Sequence, residues 1–154
     1  MNNFESVENK TADQPLIQLD LCAPLFFSKI EDMPSEIGED DEYLLVYELN
    51  PGQSRSIEPV RELFLGSRIF AGRKIDILPA DTAQTFVLPA GKYLFTQCRS
   101  KRNILKPDEW LDMAIEQQKD GLWERHKPES RLYVRFLFED SQFVSQLFRG
   151  LPGT

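Results

Sequence analysis

The chain has 154 residues, the size of one domain, and its 41% hydrophobic and 28% charged residues are those of an ordinary folded protein, not of a disordered or fibrous one. Its 18 lysines and arginines against 25 aspartates and glutamates give a formal net charge of −7, which disfavours binding to nucleic acid or to an anionic membrane surface. The longest mostly apolar run, residues 21–27, is too short to span a bilayer. We therefore expect neither nucleic acid nor a membrane as a partner.

The N-terminal region predicts a tail and a compartment. Residues 1–15 are polar and end at Pro15, so we expect a flexible tail followed by a single domain over residues 16–154. The first residues carry no basic segment followed by a hydrophobic one, which argues against a secretion signal and predicts a cytoplasmic protein. In a reducing compartment Cys22 and Cys98 are expected to be free thiols, packed as small apolar groups.

The first half of the domain predicts four strands and one short helix. Apolar and polar side chains alternate over residues 17–22, as in a strand with one buried face. The acidic segment 31–42 predicts a solvated loop, because its spacing does not fit a calcium-binding EF-hand. Ser56 can cap a short helix that reaches Phe64. The predicted strands are residues 16–27 with a break near Pro24, 43–49, 74–78 and 85–88.

The second half predicts one long helix between strands. A strand begins at Gly91, and the helix begins at Pro107 and ends at Gly121. Residues 132–139 predict another strand. Residues 142–148 fit either a helix or the second arm of a hairpin, and the hairpin is slightly favoured because Phe and Val prefer strands. The order of elements predicts an α+β domain: a mostly antiparallel sheet with one long and one short helix.

The sequence offers little for catalysis or metal binding. His126 is the one histidine, it lies in a charged stretch that predicts an exposed side chain, and no paired ligand spacing of the C-x-x-C or H-E-x-x-H kind is present. The common nucleotide-binding and hydrolase motifs are absent from the sequence. We therefore predict no catalytic residue, no metal site and no cofactor, which disfavours an enzyme without excluding one.

A basic cluster is the one feature that points toward nucleic acid. It follows a strand that carries aromatic side chains, the arrangement of a surface on which bases stack. A solvated loop explains it better, because a nucleic-acid footprint is broader than four residues. The cluster consists of Arg99, Lys101, Arg102 and Lys106.

The aromatic residues suggest a ligand site. Trp123 and Tyr133 stand beside charged residues, which predicts partial exposure, although core packing explains any single one of these rings better. We predict a cleft between the long helix and the sheet, bordered by Trp123, Tyr93 and Tyr133, with Glu139 as the candidate carboxylate and Glu124 as the other. Such a cleft suits an organic cation or a flat apolar molecule.

The segment Leu88-Pro89-Ala90-Gly91-Lys92-Tyr93 resembles the Pro-Ala-Gly-x-Tyr strand entry of the gyrase-inhibitor-like effector-binding domains. The resemblance implies two strand–helix–strand–strand units around a cleft that binds small cationic or aromatic ligands. Residues 43–88 and 91–148 follow that order of elements. No DNA-binding helix pair precedes the segment, and the acidic-aromatic segment typical of the family's C-terminal part is replaced by Leu137-Phe138-Glu139-Asp140.

Two functional hypotheses follow from these features. The first is a non-enzymatic domain that binds a small molecule in an aromatic cleft. The alternative is a protein-interaction module whose edge strand or aromatic surface engages a protein partner. The sequence leaves the oligomeric state and the identity of the ligand open.

Overall fold

The computed structural model describes residues 18–49 and 68–152. The predicted tail and the predicted helix near Ser56 lie outside these residues. The described residues form strands β1 (Gln18–Leu21), β2 (Leu25–Lys29), β3 (Tyr43–Glu48), β4 (Arg68–Ile75), β5 (Thr85–Leu88) and β6 (Gly91–Ser100), helices α1 (Pro107–Lys119) and α2 (Leu122–His126), and strands β7 (Arg131–Glu139) and β8 (Gln142–Gly150).

These strands form a single antiparallel sheet in the order β1-β6-β8-β7-β3-β4-β2-β5. The predicted mostly antiparallel sheet is therefore confirmed, together with the long helix. The sheet curls into a half-barrel: Phe86 on the edge strand β5 contacts Tyr133 on β7, although three strands lie between β5 and β7 in the sheet. No helix among the described residues is long and apolar enough to cross a membrane.

The two faces of the sheet bury different sets of side chains. The outer face packs against both helices, because alternate residues of β3, β7 and β8 point toward the apolar side of α1. The inner face, on the concave side of the curl, holds a second apolar cluster with a high share of aromatic rings. The buried members of this inner cluster are Leu19, Phe27, Leu44, Val46, Leu88, Tyr93, Phe95, Tyr133 and Phe148.

Residues 142–150 settle the choice between helix and hairpin in favour of the hairpin. They form β8, which pairs with β7 from Tyr133↔Phe148 to Glu139↔Gln142. Asp140 and Ser141 form the turn with φ of 54° and 64°. Two residues in the left-handed region match the right-handed twist of the arms that they join.

Two elements differ from the sequence prediction. The strand expected over 74–78 is β4, which begins at Arg68 and ends at Ile75. Its ends are set by pairing with β3, because its apolar and polar side chains alternate only weakly. Gly121, at φ +77°, ends α1 but leads directly into α2. As a result Trp123, expected to be partly exposed after the helix, is buried at 4% exposure.

Candidate functional site

A cluster of aromatic rings lies at one end of the inner face. Tyr133 and Phe148 are cross-strand partners on β7 and β8, and their rings stack with centroids 5.4 Å apart. Tyr93 of β6 meets both edge-on, with centroids 5.2 Å from Phe148 and 5.9 Å from Tyr133. Phe86 reaches the cluster from β5, with its centroid 6.1 Å from that of Tyr133. The curl of the sheet thus brings rings from four strands together.

Both tyrosines of this cluster are nearly enclosed. Tyr93 is 4% exposed and Tyr133 5% exposed, so the predicted partial exposure of Tyr133 is wrong. The Tyr93 hydroxyl donates a hydrogen bond to the carbonyl oxygen of Pro89, and burial raises the pKa of Tyr93 far above its usual value. Burial also raises the pKa of Tyr133. Each ring therefore remains a neutral phenol over the physiological range.

The loop between α2 and β7 places a carboxylate beside the tyrosines. The amide of Glu129 donates to the carbonyl oxygen of Gly150 at 2.8 Å, and the amide of Leu49 donates to that of Ser130 at 3.0 Å, so the loop continues the pairing of the sheet. A Cβ on Gly150 would lie 2.6 Å from Glu129 Oε1. The Glu129 carboxylate therefore occupies the space that the missing side chain leaves, on the inner face next to Phe148.

The charge of Glu129 acts on both tyrosines. It contributes, after the effect of burial, to the raised pKa of Tyr93, and it also opposes ionisation of Tyr133. Within the described part of the chain no cationic side chain forms an ion pair with Glu129. An exposed, unpaired carboxylate next to a ring cluster is an arrangement that attracts a cation.

Three further side chains lie beside the aromatic cluster. Arg131 Nε donates to Glu48 Oε1 at 3.2 Å, and the Ser130 hydroxyl donates to the other oxygen of the Glu48 carboxylate. The Arg131 guanidinium also lies over Phe86, 5.6 Å from the ring centroid, and its positive charge partly opposes the rise in the pKa of Tyr133. The hydrogen bond from Ser130, followed by Arg131, lowers the pKa of Glu48. We call Glu48, Phe86, Glu129, Ser130 and Arg131 the rim.

A buried arginine fixes the rim loop from the outer face. Arg149 Nε donates to the carbonyl oxygen of Glu129 at 2.9 Å, and Nη2 donates to that of Pro128 at 3.3 Å. The guanidinium stacks on Trp123, 4.6 Å from the ring centroid, and its burial lowers the pKa of Arg149 to about 10. Trp123 is itself held by Gln117, whose side-chain oxygen accepts from the indole N–H at 2.8 Å.

The opposite end of the inner face is polar. Arg135 donates to Glu42 at 2.7 Å and to Gln146 at 3.2 Å, and Gln146 donates to Gln97 at 3.1 Å. Further along the strands, Arg99 pairs with Glu139 at 3.1 Å. These contacts join the side chains into a polar network at this end of the sheet.

The predicted site residues therefore divide into two groups. Tyr93 and Tyr133 lie together, but on the inner face of the sheet, whereas the predicted cleft lies between the long helix and the sheet. Trp123 does not join them, because it packs on the outer face between α1, α2 and Arg149. Glu139 lies on the inner face but six residues beyond Tyr133 on β7, about 20 Å along an extended strand. The carboxylate beside the tyrosines is Glu129, which no local sequence pattern identified.

Other residues that the sequence singled out have local roles. Asn103, in the loop of the basic cluster, accepts the amide of Ile37 at 2.9 Å, so that loop lies against the acidic segment. Cys22 is exposed rather than packed, whereas Cys98 is half-buried and burial raises its pKa. His126 is half-buried rather than exposed, and its Nε2 is enclosed. The described residues contain no group of three His, Cys, Asp or Glu side chains placed to hold a metal ion.

A separate cleft of about 400 Å³ lies outside the aromatic cluster, where β2 ends beside the start of β4. Charged side chains of both signs line it, including Lys29, Glu31 and Arg68, together with Phe70. The Phe70 ring also contacts Phe86, with centroids 5.3 Å apart, so the cleft borders the inner cluster.

A scan of protein-family models and a search of curated proteins both return no match to this chain.

Proposed function

We propose that this protein is a non-enzymatic domain that binds a small organic cation at the rim. The observation that carries the proposal is the unpaired Glu129 carboxylate, held over Gly150 beside Tyr93 and Tyr133. A carboxylate supplies charge attraction, and Phe86, the half-buried ring of the cluster, can attract a cation through the quadrupole of its face. The two together favour a flat or aromatic cation over a neutral molecule of the same shape.

The exposure of the Glu129 carboxylate to solvent decides how strongly it attracts a cation. Two unit charges about 4 Å apart attract by roughly 1 kcal/mol in water and by up to about 4 kcal/mol in a less polar environment. Glu129 is exposed to solvent, so the value close to that in water applies. We expect the carboxylate to contribute about 1–1.5 kcal/mol, which is roughly a five- to ten-fold effect on the dissociation constant.

The test is a calorimetric titration of the protein with benzylammonium, with benzyl alcohol as the neutral analogue. We expect saturable binding of the cation that exceeds binding of the alcohol, and roughly five- to ten-fold weaker cation binding in Glu129→Gln. Glu124→Gln is the matched control, because it removes the same charge from an exposed position on α2. Equal binding of cation and alcohol, or equal losses in both variants, would contradict the proposal.

The proposal also includes the resemblance to the gyrase-inhibitor-like domains and a cytoplasmic location. Domains of the gyrase-inhibitor-like family bind ligands of this class, and β6, α1, β7 and β8 follow the strand–helix–strand–strand order of one of their units. We propose that β3, β4 and β5 belong to the other unit. The helix predicted between β3 and β4 falls outside the described residues. A reducing cytoplasmic compartment is consistent with two cysteines that are not joined to each other.

Protein interaction is the second candidate function, and exposed apolar side chains near β5 favour it. Ile77 is 82% exposed, and Leu78 and Val87 are each more than 40% exposed. Val87, Phe26 and Ile75 are register neighbours across β5, β2 and β4. The partner we consider is a second copy of this chain, which would extend the sheet beyond β5. Light scattering that gives a monomer mass at high concentration would exclude this partner.

A further inference from the structure

We propose that the ligand's cationic group is a guanidinium and that Arg131 competes with it for its binding position. This inference rests on the proposed function, since it specifies which cation the rim accepts. In the structure the Arg131 side chain occupies the position between Glu48 and Phe86 that the ligand would take. Arg131 thus acts as an internal pseudo-ligand, and because the ligand must displace it, Arg131 lowers the affinity of the rim for the ligand.

The contacts of Arg131 define the shape of this position. Its Nε donates to the Glu48 carboxylate at 3.2 Å, and its guanidinium carbon lies over the Phe86 ring, 5.6 Å from the centroid. A carboxylate at the edge and a ring at the face are the two partners that a planar guanidinium satisfies at once. A rounded ammonium group fits the carboxylate but uses the ring less fully. The arrangement therefore favours guanidinium compounds.

Arg131 is displaceable, unlike Arg149. The side chains of Arg131 and Glu48 are 46% and 43% exposed, and exposed ion pairs of this kind contribute little to stability. Arg131 is also the first residue of β7, so moving its side chain leaves the strand pairing in place. The Ser130 hydroxyl holds the Glu48 carboxylate independently of Arg131. Arg149 is instead buried and bound to two backbone carbonyl groups.

The net negative charge of the rim also favours the entry of a cationic ligand. Glu48 and Glu129 together carry two negative charges, and Arg131 supplies one positive charge. A ligand that displaces Arg131 gains Glu48, whereas the released arginine can turn toward Glu129 or into solvent. With Arg131 in place the rim keeps a net charge of −1, which attracts a cation before that cation displaces Arg131.

The experiment compares Arg131→Gln with wild type by calorimetric titration with benzylguanidinium and benzylammonium. We expect about three- to ten-fold tighter binding of benzylguanidinium to Arg131→Gln, since the ligand no longer displaces an exposed ion pair and a cation–ring contact. The gain for benzylammonium should be smaller. Arg125→Gln is the matched control, because Arg125 is an exposed cation on α2 and its loss changes the net charge equally. Its affinities should match those of wild type.

The outcomes separate the inference from the proposed function. If wild type binds both cations but Arg131→Gln binds benzylguanidinium no more tightly, Arg131 is not a competitor and the inference is wrong. A gain that is the same in Arg125→Gln, or the same for both ligands, also overturns it, because net charge alone would then explain the change. If no variant binds either cation, the proposed function fails and this inference fails with it. Circular dichroism checks that each variant is folded.

Discussion

Substitution of Gly150 tests the placement of Glu129 without changing any charge. A Cβ at this position would lie 2.6 Å from Oε1 and 3.2 Å from Cδ of Glu129, whereas ordinary contacts begin near 3.4 Å. In Gly150→Ala the clash is relieved when the Glu129 side chain adopts another rotamer, which turns its carboxylate away from the inner face. Glu129 is exposed and flexible at its end, so we expect the free energy of unfolding to fall by less than about 1 kcal/mol.

The effect on ligand binding should be larger than the effect on stability. If the displaced carboxylate loses most of its attraction for the cation, the dissociation constant for benzylammonium rises roughly five- to ten-fold, as in Glu129→Gln. Because both substitutions remove one interaction, the double variant should bind about as weakly as either single variant, so the effects are not additive. The assay is calorimetry on wild type, both single variants and the double variant. Additive losses, or unchanged binding in Gly150→Ala, would refute this placement of Glu129.

Two further predictions concern the fold that supports the rim. Gln117→Leu should lower the free energy of unfolding, measured by urea titration, by about 2–4 kcal/mol, because the Trp123 indole N–H and the Thr96 hydroxyl both lose their hydrogen-bond partner. A loss below about 0.5 kcal/mol would show that the Gln117 amide does not stabilise this part of the fold. Burial raises the pKa of Tyr47 to about 12, so its neutral form stabilises the folded state fully below pH 10, and this contribution, roughly 3 kcal/mol, disappears between about pH 10 and 12. Burial lowers the pKa of Arg149 to about 10, so its titration in the same interval changes the stability with the opposite sign. The test therefore compares wild type with Tyr47→Phe, in which only the tyrosine contribution is removed. The variant should lose less stability from pH 9 to 12, and identical pH profiles would show that Tyr47 titrates normally.

Local patterns predicted the elements whose burial repeats with a simple period. Strand β3 and helix α1 have a regular apolar alternation or stripe, so their type followed from the sequence. Strand β4 did not, because its partner β3 fixes its ends and Gly72 and Arg73 interrupt its alternation. The hairpin at 140–141 was correctly favoured on strand propensity, although the same residues also fitted a helix.

The site was only partly predictable because it depends on contacts between distant segments. Tyr93 and Tyr133 are brought together by the pairing of β6, β8 and β7, and aromatic composition alone indicated that they might share a surface. Trp123 and the two tyrosines were predicted to border one cleft, but they lie on opposite faces of the sheet, and a second helix after Gly121 buries the Trp123 ring. Glu129 lies in a loop without periodicity, and its position follows from pairing with Gly150, 21 residues away in the sequence.

The central claim is that a cation binds beside Phe86 and Tyr133, and nuclear Overhauser effects between ligand and protein test it most directly. With benzylguanidinium at saturating concentration, we predict intermolecular effects from the ligand's benzylic protons to the ring protons of Phe86 and Tyr133. At a ligand concentration that half-saturates wild type, the effects should fall to roughly a third or less in Glu129→Gln, because its dissociation constant is five- to ten-fold higher. Effects confined to Ile30 and Ile69 of the separate cleft, or to Trp110 and Trp123 on the outer face, would place the ligand elsewhere and contradict the claim.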